Sequence, residues 1–192
     1  ARLPVDPRIG RMILAGQEED CLDDVLTIAA ALSVQDPRDR RWEVQEAADA
    51  AHAPFHDAKS DFITLLNIWN WYQHLKKDLS RSKLIKACQQ RYLSWIRMRE
   101  WEDVYQQLHT LVSDMGFHPR SRVTDHDAIH RSLLTGLLSN VGCKNPNPGG
   151  DTAPGEYLGT FASRFHIFPG SVLFKPRPRW LMASEIVRTT KN

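Results

Sequence analysis

The 192-residue chain is 42% hydrophobic and 25% charged with a net charge of +2 and has no low-complexity tract, a composition that fits an ordinary globular protein with an apolar core and excludes a low-complexity chain. No apolar run approaches the roughly 18 residues that a membrane span needs, and the opening ARLPVDPR has neither a Met nor a signal-peptide series, so it reads as the interior of a longer protein. Cys21, Cys88 and Cys143 are too widely spaced for a disulfide framework or a CxxC metal site, which points to a reduced, cytoplasmic protein.

Pro4 and Pro7 make an extended entry, and Asp6-Pro7 is a good helix start, so the spacing of Ile9, Met12 and Ile13 predicts a short helix over 7–16. In residues 21–34, apolar side chains cover most of a helix circumference, which predicts a buried helix ending before Asp36-Pro37. Residues 36–58 are rich in charge and alanine; a short polar helix is expected over 43–52 and a surface loop around Pro54. Ser60 or Asp61 then caps an apolar helix over 62–75. A further start at Ser80 or Ser82 leads into 84–112, read as two helices broken near Ser94–Arg97 and closed by Gly116. After a turn at Pro119, Thr124 or Asp125 caps a helix over 126–141.

From there the texture changes. Asn145–Gly150 is a turn-rich loop, and 156–168 alternates and is rich in β-formers. A turn at Pro169-Gly170 leads to a strand over 171–174, a basic turn over 175–179 and a last strand over 180–190. The expected fold is therefore mainly α, a helical bundle to about residue 140, followed by a small antiparallel β segment. Charge follows the same division: residues 1–60 carry seven Lys/Arg against twelve Asp/Glu, whereas 116–192 carry ten against five. A basic C-terminal third suits a polyanionic partner.

The chain contains no GxxxxGK[ST] loop, DExH box, dinucleotide turn, GxSxG elbow or HExxH pair, so no catalytic residue is assigned and no ATPase activity of its own is expected. His126 and His130 stand four apart on one helix face, near His118 and flanked by Asp125 and Asp127. Without a third placed ligand they read as surface or packing residues, and no metal is expected. Trp69, Trp71, Tyr72, Tyr92, Trp95 and Trp101 could stack nucleobases, but helical spacing favours core packing for Trp69, Tyr92 and Trp95, with one of Trp69 and Trp71 facing outward. Lys76, Lys77, Arg81, Lys83 and Lys86 crowd a helix junction, where they either complement helix dipoles or hold phosphates. Arg164, His166, Phe168, Ser171, Lys175, Arg177 and Arg179 lie on or between the expected strands. Basic groups interleaved with an aromatic on a small sheet suit phosphate contacts plus base stacking, against the plainer reading of a solvated hairpin.

Five phrases, PVDPRIGRMILAG, CLDDVLTIAAALSVQDPR, SDFITLLNIWNWY, DHDAIHRSLLTGLLSNVG and FPGSVLF followed by PRWLMASEIVRTTK, occur in that order. Together they resemble the C-terminal region of DEAH-box RNA helicases, nearest the bacterial HrpA-type branch. The resemblance implies two RecA-like motor domains holding ATP and Mg²⁺ outside this chain, then a winged helix, a helical ratchet domain and an OB-fold. Residues 1–16 would be the winged-helix exit and first helix, 17–140 the ratchet body, and 141–192 about three of five OB strands. It further implies a non-catalytic accessory module of an ATP-dependent 3′-to-5′ RNA helicase, guiding single-stranded RNA and packing on the motor domains, with no cofactor of its own. The RNA-contacting candidates are Arg164, His166, Phe168, Ser171, Lys175 and Arg177, with Lys76, Lys77, Arg81 and Lys83 as the second choice. The alternative is a helical scaffold whose basic surface meets an acidic protein.

Overall fold

A computed structural model describes residues 6–120, 125–145 and 155–187. The expected entry at Pro4, the Thr124 cap, most of the Asn145–Gly150 loop and residues 188–190 of the expected last strand lie outside them; the described part of that strand runs only over Trp180–Met182, shorter than expected.

Helix α1 (Pro7–Glu18) begins where Asp6 accepts the Arg8 N–H at 2.8 Å, with proline at the first position. Helix α2 (Leu22–Leu32) has almost no solvent side. Its Leu26, Ala29 and Ala30 join one apolar cluster, and its Val25 and Ile28 join a second. A 3₁₀ turn at Trp42–Val44 precedes α3 (Gln45–His52), and another at Ala53–Phe55 follows it. In α4 (Asp61–Asp78) the Ser60 hydroxyl accepts the Ile63 N–H at 3.2 Å. Helices α5 (Arg81–Gln90) and α6 (Trp95–Asp114) are separated at Arg91–Ser94, a few residues before the expected break. Tyr92 adopts a left-handed φ of 51° there, and its carbonyl accepts the Asp39 N–H at 2.8 Å. Helix α7 (His126–Leu137) is capped by Asp125, which accepts from Asp127 and Ala128. Among the described residues no helix is long and apolar enough to cross a membrane.

The first cluster gathers α2, α4, α5 and α6 around the wholly buried Trp101 and Tyr72, while the second joins α1, α2, α4 and α7 through Met12, Ile63, Ile129 and Leu133. Trp69 belongs to the core as expected. Tyr92 and Trp95 are only half-buried, and Trp71 rests edge-on against Phe55 at 5.4 Å. Cys21 and Cys88 are buried as small hydrophobes.

The last helix ends earlier than its periodicity suggests. A 3₁₀ turn at Leu138–Asn140 leads straight into β1 (Val141–Lys144), a strand absent from the sequence expectation. It pairs antiparallel with β2 (Glu156–Gly159) and with β4 (Trp180–Met182), and β2 pairs with β3 (Arg164–His166), giving the order β3-β2-β1-β4. The described sheet thus has four short strands where three were expected. The expected strand over 171–174 is instead a run of turns. Its backbone is spent locally, Ser171 N–H on Phe168, Phe174 N–H on Ser171 and Arg177 N–H on Leu173, so no ladder can form. On one face Tyr157 is fully buried and stacks on Phe165 at 5.9 Å, and Gly142 lies directly beneath that ring. Met182 of β4 packs against the second helical cluster, seating the sheet on the bundle.

His52 of α3 is fully buried, with Nε2 3.2 Å from the Tyr92 carbonyl. Burial, and then the charges of Arg38 and Arg40, hold its pKa below the ordinary 6.5. The unfolded chain therefore binds the extra proton more readily, and this stability is complete above the unfolded value and lost as pH falls toward the folded one. The melting temperature is expected to drop from about pH 7 to about pH 5, and His52→Gln should flatten that drop. An undiminished slope in the variant would assign the acid sensitivity to other groups.

Candidate nucleic-acid interface

Between the helical body and the sheet runs a groove of about 1730 Å³. One wall comes from the end of α2, the segment after it and the start of α4; the other comes from β3, β4 and the turns around them. Of the residues singled out by sequence, Arg164, His166, Phe168 and Ser171 line it, whereas Lys175 and Arg177 do not.

Arg164 and His166 share a face of β3, because alternate residues of a strand point the same way, and both are exposed. The Arg164 guanidinium lies 3.7 Å from the Glu156 carboxylate. Phe168, 65% exposed, lies beneath the Arg40 guanidinium at 5.9 Å. Ser171 is a docking residue: its hydroxyl donates to the Asp61 carboxylate, which also accepts the Val172 N–H at 3.2 Å. Since Asp61 opens α4, these bonds tie the turn before β4 to the helical body. Arg177 stands at a left-handed φ of 46° with its guanidinium over Phe174 at 5.7 Å, outside the groove.

The second-choice cluster is largely occupied. Lys76 pairs with Glu102, which also accepts from Gln73, and Arg81 lies over the Trp95 ring at 4.9 Å with Arg99 over the same ring at 5.7 Å. The remaining lysines, Lys77 and Lys83, are exposed and lie away from the groove. The histidines are engaged too. Nε2 of His130 is 2.6 Å from the Ser60 hydroxyl, and His126 faces Asp57 at 4.0 Å.

Sequence reasoning missed Arg38, Arg40 and Lys59, which line the helical wall. It also missed Phe161, which is 97% exposed at the β2–β3 connection with a left-handed φ of 54°. Arg38 is buried and gives Nε and Nη2 to Asp36, at 2.9 and 2.6 Å. Chemically the groove offers guanidinium donors from both walls, the Lys59 ammonium from the helical wall and an exposed aromatic rim. Such an arrangement suits a polyanionic ligand with stackable rings.

Residues 6–65 match the family model described as helicase associated domain (HA2), ratchet-like, and residues 129–192 match the model described as oligonucleotide/oligosaccharide-binding (OB)-fold. The chain is 42% identical over 191 residues to the ATP-dependent RNA helicase HrpA of Escherichia coli and, to the same degree, to its homolog in Haemophilus influenzae. Both alignments take in 100% of this chain and 14% of the relative. The DExH-box ATP-dependent RNA helicase DExH1 of Arabidopsis thaliana is 35% identical over 98% of this chain and 19% of its own length.

Proposed function

Because the chain belongs to the C-terminal region of the DEAH-box RNA helicases, with their ratchet-like and OB-fold modules, we propose that it serves a cytoplasmic, ATP-dependent 3′-to-5′ RNA helicase as a non-catalytic accessory module. In this reading it packs on RecA-like motor domains of the same polypeptide, which hold ATP and Mg²⁺, and guides single-stranded RNA along the groove. The observation that carries the reading is that both modules contribute basic groups to one groove, Arg38, Arg40 and Lys59 from the helices and Arg164 and His166 from the sheet. Guanidinium and ammonium groups hold backbone phosphates without reading sequence, which is what a strand moving through a channel requires.

The test is a comparison of two double variants in binding to a fluorescent single-stranded RNA across a salt series. Lys59→Ala with Arg164→Ala removes groove charge from both walls, and it is expected to weaken binding about 10-fold or more and reduce the salt slope by about two, one released counterion per lost contact. Lys175→Ala with Arg177→Ala removes equal charge outside the groove and should do much less. Equal losses in the two would assign binding to diffuse charge. No binding by the unaltered chain at low salt would leave a protein-interaction scaffold as the better account.

A further inference from the structure

We propose that Arg38 and Arg40 form a receptor for a single phosphate group, filled by one backbone phosphodiester of single-stranded RNA; the RNA part of this inference rests on the function proposed above. The starting point is the sequence Asp36-Pro-Arg-Asp-Arg-Arg41. In it each of two arginines folds back onto the aspartate two residues earlier. Arg38 grips Asp36, and Arg41 grips Asp39 through Nε at 3.0 Å and Nη2 at 2.8 Å. The same reach from Arg40 meets Arg38, a like charge. Among the described residues no carboxylate stands within ion-pairing distance of Arg40.

The orphaned donors are the second observation. Nη1 of Arg38 and Nε of Arg40 are both buried with no hydrogen-bond acceptor, and the Arg38 side chain is only 7% exposed. A guanidinium N–H taken out of water without an acceptor is costly, more so with another cation beside it, and the cost is recovered when an anion arrives. Burial, and then the charge of Arg38, push the Arg40 pKa down, and both arginines act the same way on His56. Asp36, Asp49 and Asp61 pull the Arg40 pKa the other way without cancelling the effect of burial and Arg38.

The third is how Arg40 is held. Its guanidinium lies over the Phe168 ring, and Gly170 clears the space beside it: a Cβ there would overlap Nη1. The arginine is therefore fixed between the two modules, on the groove wall, with a planar fork preorganised for a tetrahedral oxyanion. Because Phe168 and Gly170 of the sheet module hold the Arg40 guanidinium in place, phosphate binding and the docking of the two modules are coupled through Arg40.

The experiment uses inorganic phosphate and a fluorescent single-stranded RNA as probes at constant ionic strength. Phosphate is expected to raise the melting temperature with the logarithm of its concentration above Kd, by about 3–6 °C at roughly ten times its Kd, and to compete with the RNA. Arg40→Gln should abolish that shift, weaken RNA binding about 10-fold and reduce the salt slope by about one. Arg40→Lys keeps the charge but loses the fork, so it should retain only part of both effects; it carries the test if Arg40→Gln does not fold. Unchanged phosphate shift and RNA affinity in these variants would overturn the receptor while leaving RNA guidance intact. An Arg40-dependent phosphate shift without any RNA binding would keep the receptor, make free phosphate its ligand and remove the guidance reading. An acidic peptide that displaces phosphate through Arg40 where RNA does not would overturn the assignment to RNA.

Discussion

Trp101→Ala is expected to destabilise the chain by about 4–5 kcal/mol, near the top of the range for removing a buried tryptophan. The ring is fully buried on α6, its centroid is 5.0 Å from that of Trp69, and its Nε1 donates to the Thr27 carbonyl of α2 at 2.8 Å. Truncation removes the burial, opens a cavity bounded by rigid helices and deletes the hydrogen bond that fixes α6 against α2. Trp95→Ala is the internal comparison. Its ring is half-buried beneath Arg81 and Arg99, so about 1–2 kcal/mol is expected from lost packing and cation–π contact. Urea melts of the two variants check this. Similar costs would mean that Trp101 does not anchor the core.

Gly136→Val is expected to cost about 3 kcal/mol or more, at the upper end of overpacking. A Cβ at this point of α7 would stand 2.5 Å from the Arg8 carbonyl oxygen and 2.7 Å from Met12 Cε of α1. The methionine can swing aside, but the carbonyl belongs to a helix and cannot, so α1 and α7 must separate. Amide exchange in α1 should quicken along with the fall in the urea midpoint. Gly116→Ala gives the contrast: nothing lies within 4 Å of a Cβ there, and only the positive φ of 83° resists it, at about 1 kcal/mol. If the two glycine variants cost the same, the close approach of α1 and α7 is not what Gly136 serves.

The helices were legible because burial is written into a chain at helical spacing, and Asp6, Ser60 and Asp125 mark their starts. Strand β1 was not. Only Val141 fell in the expected helix, and Gly142, Cys143 and Lys144 carry no alternation; they become a strand because β2 and β4 arrive on either side. The segment over 171–174 erred in the opposite direction, with β-forming residues drawn into turns by Ser171 and its bonds to Asp61. Much the same holds at the candidate site. Arg164, His166 and Phe168 could be singled out as basic or aromatic groups near strands. Arg40 could not, because what sets it apart from Arg41 is the lack of a partner, and that depends on where Phe168 and Gly170 come to rest. Ser171 was legible as a polar group but not as a clasp, since nothing local announces its meeting with Asp61.

The position of α2 between two apolar clusters has a mechanical corollary. Protein interiors are close-packed and nearly incompressible, so a displacement imposed on one side of a helix with no free face is passed to the other. A push on the sheet enters through Met182, crosses the second cluster to Val25 and Ile28, and leaves through Leu26 and Ala29 toward Trp101. The body therefore works as a stiff lever, and relative movement of the two walls is concentrated at their contact, where Asp61 meets Ser171 and Arg40 meets Phe168.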